Sequence, residues 1–211
     1  MNYIIDIGII NKTELFAKEI MDKYDDSHNF NHALRVKCLA TKIAVSEKLN
    51  DTEIFEVVLA SLVHDIGGHK YKIKYTQEEL LKEFFGNILD TYTIDKIVYL
   101  ACNVSLSKEF ELNETNTKCI CYNLNKQLNC IRDADRIESL GSIGISRYFT
   151  YGIVNRKSDT DSIIKNIEHR TTILMQNIKT ELGKKISHDK YLIIKLFIED
   201  YYNTIHNYHN Y

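Results

Sequence analysis

Proline is absent from all 211 residues, and glycine occurs only eight times. Little in the chain forces a break, which favours long helices, although its wealth of Asn, Ile, Lys and Tyr is also what AT-rich coding produces. Cysteine is sparse and irregular. Cys38, Cys102, Cys119, Cys121 and Cys130 are odd in number and share no spacing, which argues against a disulfide framework and for reduced thiols. Cys119-x-Cys121 has no second pair and is not read as a zinc site. No run approaches the roughly 18 apolar residues of a membrane span, and the opening MNYIIDIGIINKTE lacks a basic leader. A cytoplasmic protein with no membrane partner is expected. An excess of charge is missing too: 27 Lys and Arg stand against 29 Asp and Glu. No broad basic footprint exists for a nucleic-acid backbone, so specific nucleic-acid binding is not expected. Self-association is left open.

What the chain does have is concentrated in Val57 to Tyr71, VVLASLVHDIGGHKY. Val57, Val58, Leu59, Ala60, Leu62 and Val63 make a helix apolar on every side, which is a buried helix. It runs straight into His64-Asp65 and then into Gly67-Gly68, where a helix readily ends. An imidazole and a carboxylate thus stand where a core helix runs out. Burying charge there is costly unless it is paired or holds a metal.

The partners come from the rest of the chain. A first helix is predicted from a Thr13 cap, with Leu15, Phe16, Ile20, Met21 and Tyr24 on one face. In a second helix, about Asn31 to Leu49, His32, Val36, Leu39 and Ile43 recur at helical steps, so His32 lies on the core stripe with Arg35 one turn away. Taken alone, His32 is read more readily as a core histidine bonded to a carbonyl, and His28 as a loop residue. A third helix starts at Asp51 or Thr52. Two more are expected over Gln77 to Phe85 and Thr93 to Leu106, and Ser107 to Asn125 is left as hairpin or loop. In CIRDADRIESLGSIGISRYF, Cys130 to Phe149, the residues Cys130, Ala134, Ile137 and Gly141 share a stripe with Asp135 on its edge. An ion pair with a neighbouring arginine is an equal reading of that aspartate. Tyr148 to Asp159 is a polar connection before two amphipathic helices, one carrying Ile163, Ile167, Leu174, Ile178 and Leu182, the other Ile194, Phe197, Tyr201 and Ile205. The fold class is all-α, a compact helical bundle.

Three stretches together resemble the HD-domain superfamily of metal-dependent phosphohydrolases, whose pattern is H…HD…D. The likeness is greatest to its small bacterial YedJ/YpgQ-type branch. The stretches are SHNFNHALRV (Ser27 to Val36), SLVHDIGGHKY (Ser61 to Tyr71) and DADRIESLGSIGISRYF (Asp133 to Phe149), with TELGKKI (Thr180 to Ile186) alongside. This resemblance implies the HD-type bundle as one domain over 1–211, its metal-binding core about 27–150 and a C-terminal helical pair about 159–207. It implies His32, His64, Asp65 and Asp135 as ligands of one divalent metal, manganese leading magnesium, cobalt, iron, nickel and zinc. Departures are Asn29 for an aspartate, Gly67-Gly68 for an often acidic pair, and Val104-Ser105-Leu106-Ser107 for an HSFS stretch.

Two imidazoles and two carboxylates on three helices suit such an ion. A metal so held acidifies water and offsets phosphoryl charge. The resemblance implies hydrolysis of a nucleotide as the reaction, leading with a nucleoside triphosphate cut to monophosphate and pyrophosphate. Asp65, Arg35 and Lys70 are the expected catalytic residues, with Arg35 and Lys70 leading on the substrate and Arg136 and Arg147 behind them, an ion pair with Asp133 or Glu138 being the alternative for either. The rival readings are a metal- and nucleotide-binding sensor without turnover, and a phosphodiesterase or nucleotidase with another phosphate substrate.

Overall fold

Helix formation starts from the caps. Asp6, Asn29, Asn50, Thr76, Asp90 and Asp159 each accept a backbone N–H from the first turn that follows, satisfying a donor that a helix start leaves open. The computed structural model describes residues 6–67, 75–114 and 124–208. Among the described residues there are ten α-helices and no strand. The fold is an all-α bundle. No helix among the described residues is long and apolar enough to cross a membrane.

The first helix, α1, spans Ile7–Met21, α2 Phe30–Ser46 and α3 Asp51–Val63. Helices α4 (Gln77–Phe85), α5 (Thr91–Cys102) and α6 (Leu106–Glu114) follow. The chain closes with α7 (Asn125–Glu138), α8 (Gly141–Arg156), α9 (Thr160–Gln176) and α10 (Glu181–Tyr208). Helix α3 is the central element. Every residue from Ile54 to Val63 is buried, and α3 packs on α2, α5, α7 and α1. Phe55, Leu59 and Leu62 meet Ile43, Ile97, Leu100, Ile131 and Ile137 in one large core. Truncating a side chain such as Leu59 to Ala there costs about 2–5 kcal/mol. A second apolar cluster of Leu140, Ile163, Ile164, Ile167, Leu174 and Ile194 lies among α8, α9 and α10.

Several boundaries differ from the sequence expectation, each for a local reason. Helix α1 starts at Ile7 and not at Thr13, because Asp6 is the cap. Thr13 is buried mid-helix, its hydroxyl donating to the Ile9 carbonyl at 2.8 Å, and Leu15 points outward. Residues 107–114 of the stretch expected as hairpin or loop are helical; 115–123, with Cys119 and Cys121, fall outside the described residues. The polar stretch after Tyr148 continues α8 to Arg156. It can do so because Gly152 lets α9 approach: a Cβ there would lie 2.7 Å from the Ile163 side chain. The stripe from Ile163 to Leu182 is two helices. It breaks where Asp133 of α7 accepts the N–H groups of Lys179 and Thr180.

Candidate metal centre

Four side chains are carried to one place by helix ends and one helix face. Asn29 caps α2 by accepting the His32 N–H at 3.3 Å, which fixes the first turn and places His32 fully buried on its inner side. Helix α3 runs out at Val63 with His64 as its C-cap. The open carbonyls at that end are taken by the Gln77 amide, which donates to Val63 O at 2.9 Å and His64 O at 2.7 Å. Gly67 then turns the chain with φ of +79°, a conformation that favours glycine. Asp135 enters from α7.

Their donor atoms converge. The His32 Nε2 lies 3.4 Å from Asp65 Oδ2 and 3.4 Å from Asp135 Oδ1. The His64 Nε2 lies 3.4 Å from Asp65 Oδ2 and 3.7 Å from Asp135 Oδ1. One ligand atom each from His32, His64 and Asp135 falls within 4.8 Å of the others. Atoms bound at about 2.1 Å around one ion stand about 3.0–3.5 Å apart, so the spacing fits a cation. The tautomers fit as well. His64 Nδ1 sits 2.8 Å from the Ser61 carbonyl and must donate to it, so in the neutral ring the lone pair lies on Nε2. That Nε2 is buried with no hydrogen-bond partner, the state of a ligand atom. His32 Nδ1 faces the Glu138 carboxylate at 3.8 Å, and Glu138 also accepts from Arg35 Nε at 2.5 Å.

The electrostatics follow from this crowding. Burial and the Arg147 guanidinium push the His32 pKa down, but the nearby carboxylates of Asp135, Asp65 and Glu138 outweigh them and lift it to about 9. His64 is raised too, burial being overcome by Asp65 and Asp135. Burial opposes ionisation of Asp65 and Asp135, yet the imidazoles hold both carboxyls far below the usual range.

With this geometry in hand, likeness to known proteins becomes informative. No protein-family model matches the chain. The uncharacterised protein YpgQ of Bacillus subtilis (strain 168) is 22% identical over 190 residues, covering 87% of each chain. A crystal structure of Bacillus subtilis YpgQ in complex with ADP superposes with a TM-score of 0.73 at 17% identity, covering 95% of this chain and 97% of that one. An HD-superfamily hydrolase from Bacillus thuringiensis superposes at 0.69 with 19% identity, over 94% and 97%. The chain has the HD-superfamily fold. In that HD bundle, the ligand-type cluster stands where α2, α3 and α7 meet.

The remaining predicted residues divide. Arg147 reaches this HD-fold cluster: its Nη2 lies 3.3 Å from His32 Nε2 while its Nε donates to Ser27 O at 2.6 Å. Arg136 does not face the cluster. It is buried in an ion pair with Glu109 and donates to the Asn177 carbonyl at 2.6 Å. It therefore tethers α6 and the α9–α10 corner, and is not free for a substrate. Arg35 is occupied by Glu138. Lys70 lies outside the described residues. Sequence reasoning named Glu138 only as an ion-pair partner for Arg136 or Arg147 and not as a support for His32, although a signal existed, since it follows Asp135 by three residues on the same helix. It also passed over His28, Arg156 and Arg170, which line a cavity beside Arg147. No local signal marked the last two, because packing of α8 on α9 brings them there.

Proposed function

We propose that the chain is a metal-dependent phosphohydrolase acting on nucleotides, and that nucleoside triphosphates are cut to monophosphate and pyrophosphate. The observation that carries this reading is the buried, partnerless His64 Nε2 converging with His32 Nε2, Asp65 and Asp135. His32, His64, Asp65 and Asp135 would hold one divalent ion. Manganese is put first among the divalent ions that this borderline-to-hard set of two imidazoles and two carboxylates suits, magnesium, cobalt, iron, nickel and zinc being the others. When bound, such an ion supplies Lewis acidity that offsets phosphoryl charge and acidifies water.

The chain supplies the rest. Asp65 and Asp135 stay ionised at any physiological pH, so they need no proton release before ligating. Ser61 O holds His64 in the tautomer that offers Nε2. Arg147 sets a permanent cation 3.3 Å from His32 Nε2, placed to pair with a phosphate oxygen. Positioning and charge of this kind are most of what phosphoryl transfer asks of a protein. The YpgQ complex with ADP supports a nucleotide as the substrate class. The test is a panel of nucleoside mono-, di- and triphosphates and cyclic dinucleotides against several metals, with products identified. Metal-dependent release of pyrophosphate from triphosphates is expected. No turnover with any nucleotide and any metal would overturn the reading and leave a nucleotide sensor.

A further inference from the structure

We infer that the cavity between α8 and α9 is a polyphosphate seat, gripping the phosphates that extend beyond the group held at the His–Asp cluster. This deepens the phosphohydrolase reading and rests on it. The cavity has a volume of about 280 Å³ and is lined by Ser27, His28, Arg147, Tyr148, Arg156 and Arg170, among others. Sites that enclose a drug-sized ligand run to about 300–1,000 Å³, so this one takes part of a nucleotide and not the whole.

Charge decides which part. Arg147, Arg156 and Arg170 all line the space, and the lining holds no carboxylate. Arg170 is hydrogen-bonded to Tyr148. Arg156 lies over the Tyr151 ring at 5.3 Å. The Arg147 Nη1 is buried with no hydrogen-bond partner, while its Nη2 sits beside the metal-ligand cluster. That guanidinium therefore belongs to both spaces, and a phosphate chain running from one to the other passes over it. Guanidinium forks match the paired oxygens of phosphate. A nucleobase fits less well, because Tyr151 already has Arg156 over its ring and His28 in an edge contact at 5.6 Å.

The seat makes the enzyme count phosphates. The test compares wild type with Arg170→Gln, Arg170→Lys and Arg156→Gln on one nucleoside carrying one, two or three phosphates. Metal content and melting temperature serve as controls. Each Gln variant should lose about 10- to 100-fold in kcat/KM on the triphosphate, mostly through KM, as a charge-assisted contact would. The monophosphate, read as a competitive inhibitor through its Ki, should be weakened far less, and Arg170→Lys should recover part of the loss. Equal losses for the triphosphate and the monophosphate would overturn the seat. If no nucleotide turns over, calorimetry of tripolyphosphate against orthophosphate on the metal-loaded protein still reads it. Selective weakening of tripolyphosphate by Arg156→Gln supports the seat, and unchanged binding overturns it.

Discussion

One helix, α7, carries two polar faces built from the same residue types, and they do opposite things. On one face Asp135 meets His32 and His64, its side chain 28% exposed towards the centre. On the other, Asp133 is fully buried and accepts from the backbone of Lys179 and Thr180 and from the Thr180 hydroxyl at 2.7 Å. Beside it Arg136 pairs with Glu109, and Arg132 donates to the Asn103 carbonyl at 3.0 Å. The four letters DADR thus hold a candidate ligand and a scaffold two residues apart. What separates them is the partner. Carboxylates on the scaffold face meet guanidinium and backbone donors, which close the network permanently. Asp135 meets imidazoles whose free nitrogens can be given to an ion.

The sharpest break of this contrast is His64→Ala. It should empty the metal site and lower turnover by at least about 10⁴-fold, close to 5 kcal/mol, since the ion supplies most of the charge stabilisation. Metal analysis and kinetics check it. Melting in chelator should move little, because the face is not what holds the bundle together. Undiminished metal content in a folded variant would remove His64 from the site.

Glu109→Gln should do the reverse. It leaves Arg136 buried without its carboxylate and should cost about 3 kcal/mol in denaturant unfolding, the low end for a broken buried pair, with metal content unchanged. The pH dependence has a definite sign. Burial opposes ionisation of Glu109, but Arg136, Arg132 and Lys179 outweigh it and lower its pKa below the ordinary glutamate value. Its stabilisation is therefore full above about pH 4.3 and is lost as pH falls through the lowered folded value. The gap between wild type and variant should be flat near neutrality and narrow only in acid. A gap that widens in acid would contradict the pairing.

These two faces also mark what a sequence discloses. The all-round apolar α3, the His-Asp pair at its end and the stripe bearing Asp135 are local patterns: they predicted the helical bundle, while the grouping of His32, His64, Asp65 and Asp135 came from the resemblance of three separate stretches to one family. Arg136 stood among the weaker substrate contacts, with Asp133 or Glu138 as its alternative partner, because only neighbours on its own helix are visible locally. Its true partners, Glu109 and Asn177, lie 27 and 41 residues away. The break before α10 is equally non-local: the apolar period runs unbroken from Ile163 to Leu182, and Asp133 ends it by taking two backbone donors. Arg170 joins its cavity only because Gly152 lets α9 settle against α8.

The finest test lies between the two faces, at Glu138. Its carboxylate faces His32 Nδ1 at 3.8 Å and accepts Arg35 Nε at 2.5 Å. Burial raises its pKa, but His32 and Arg35 outweigh that and keep it ionised. A carboxylate behind a ligating imidazole fixes the tautomer and raises ligand basicity, and losing it costs about 10- to 100-fold in metal affinity. Glu138→Gln should weaken metal binding by that factor while leaving the melting temperature in chelator nearly unchanged. Arg35→Ala should lose less, about tenfold, because Arg35 acts one contact further back. Titration of metal into the folded variants separates this from a direct role on substrate. If Arg35→Ala binds metal normally and only KM rises, Arg35 touches the nucleotide itself. If both variants weaken the metal in that order, the arginine that the sequence assigned to substrate is a strut for His32.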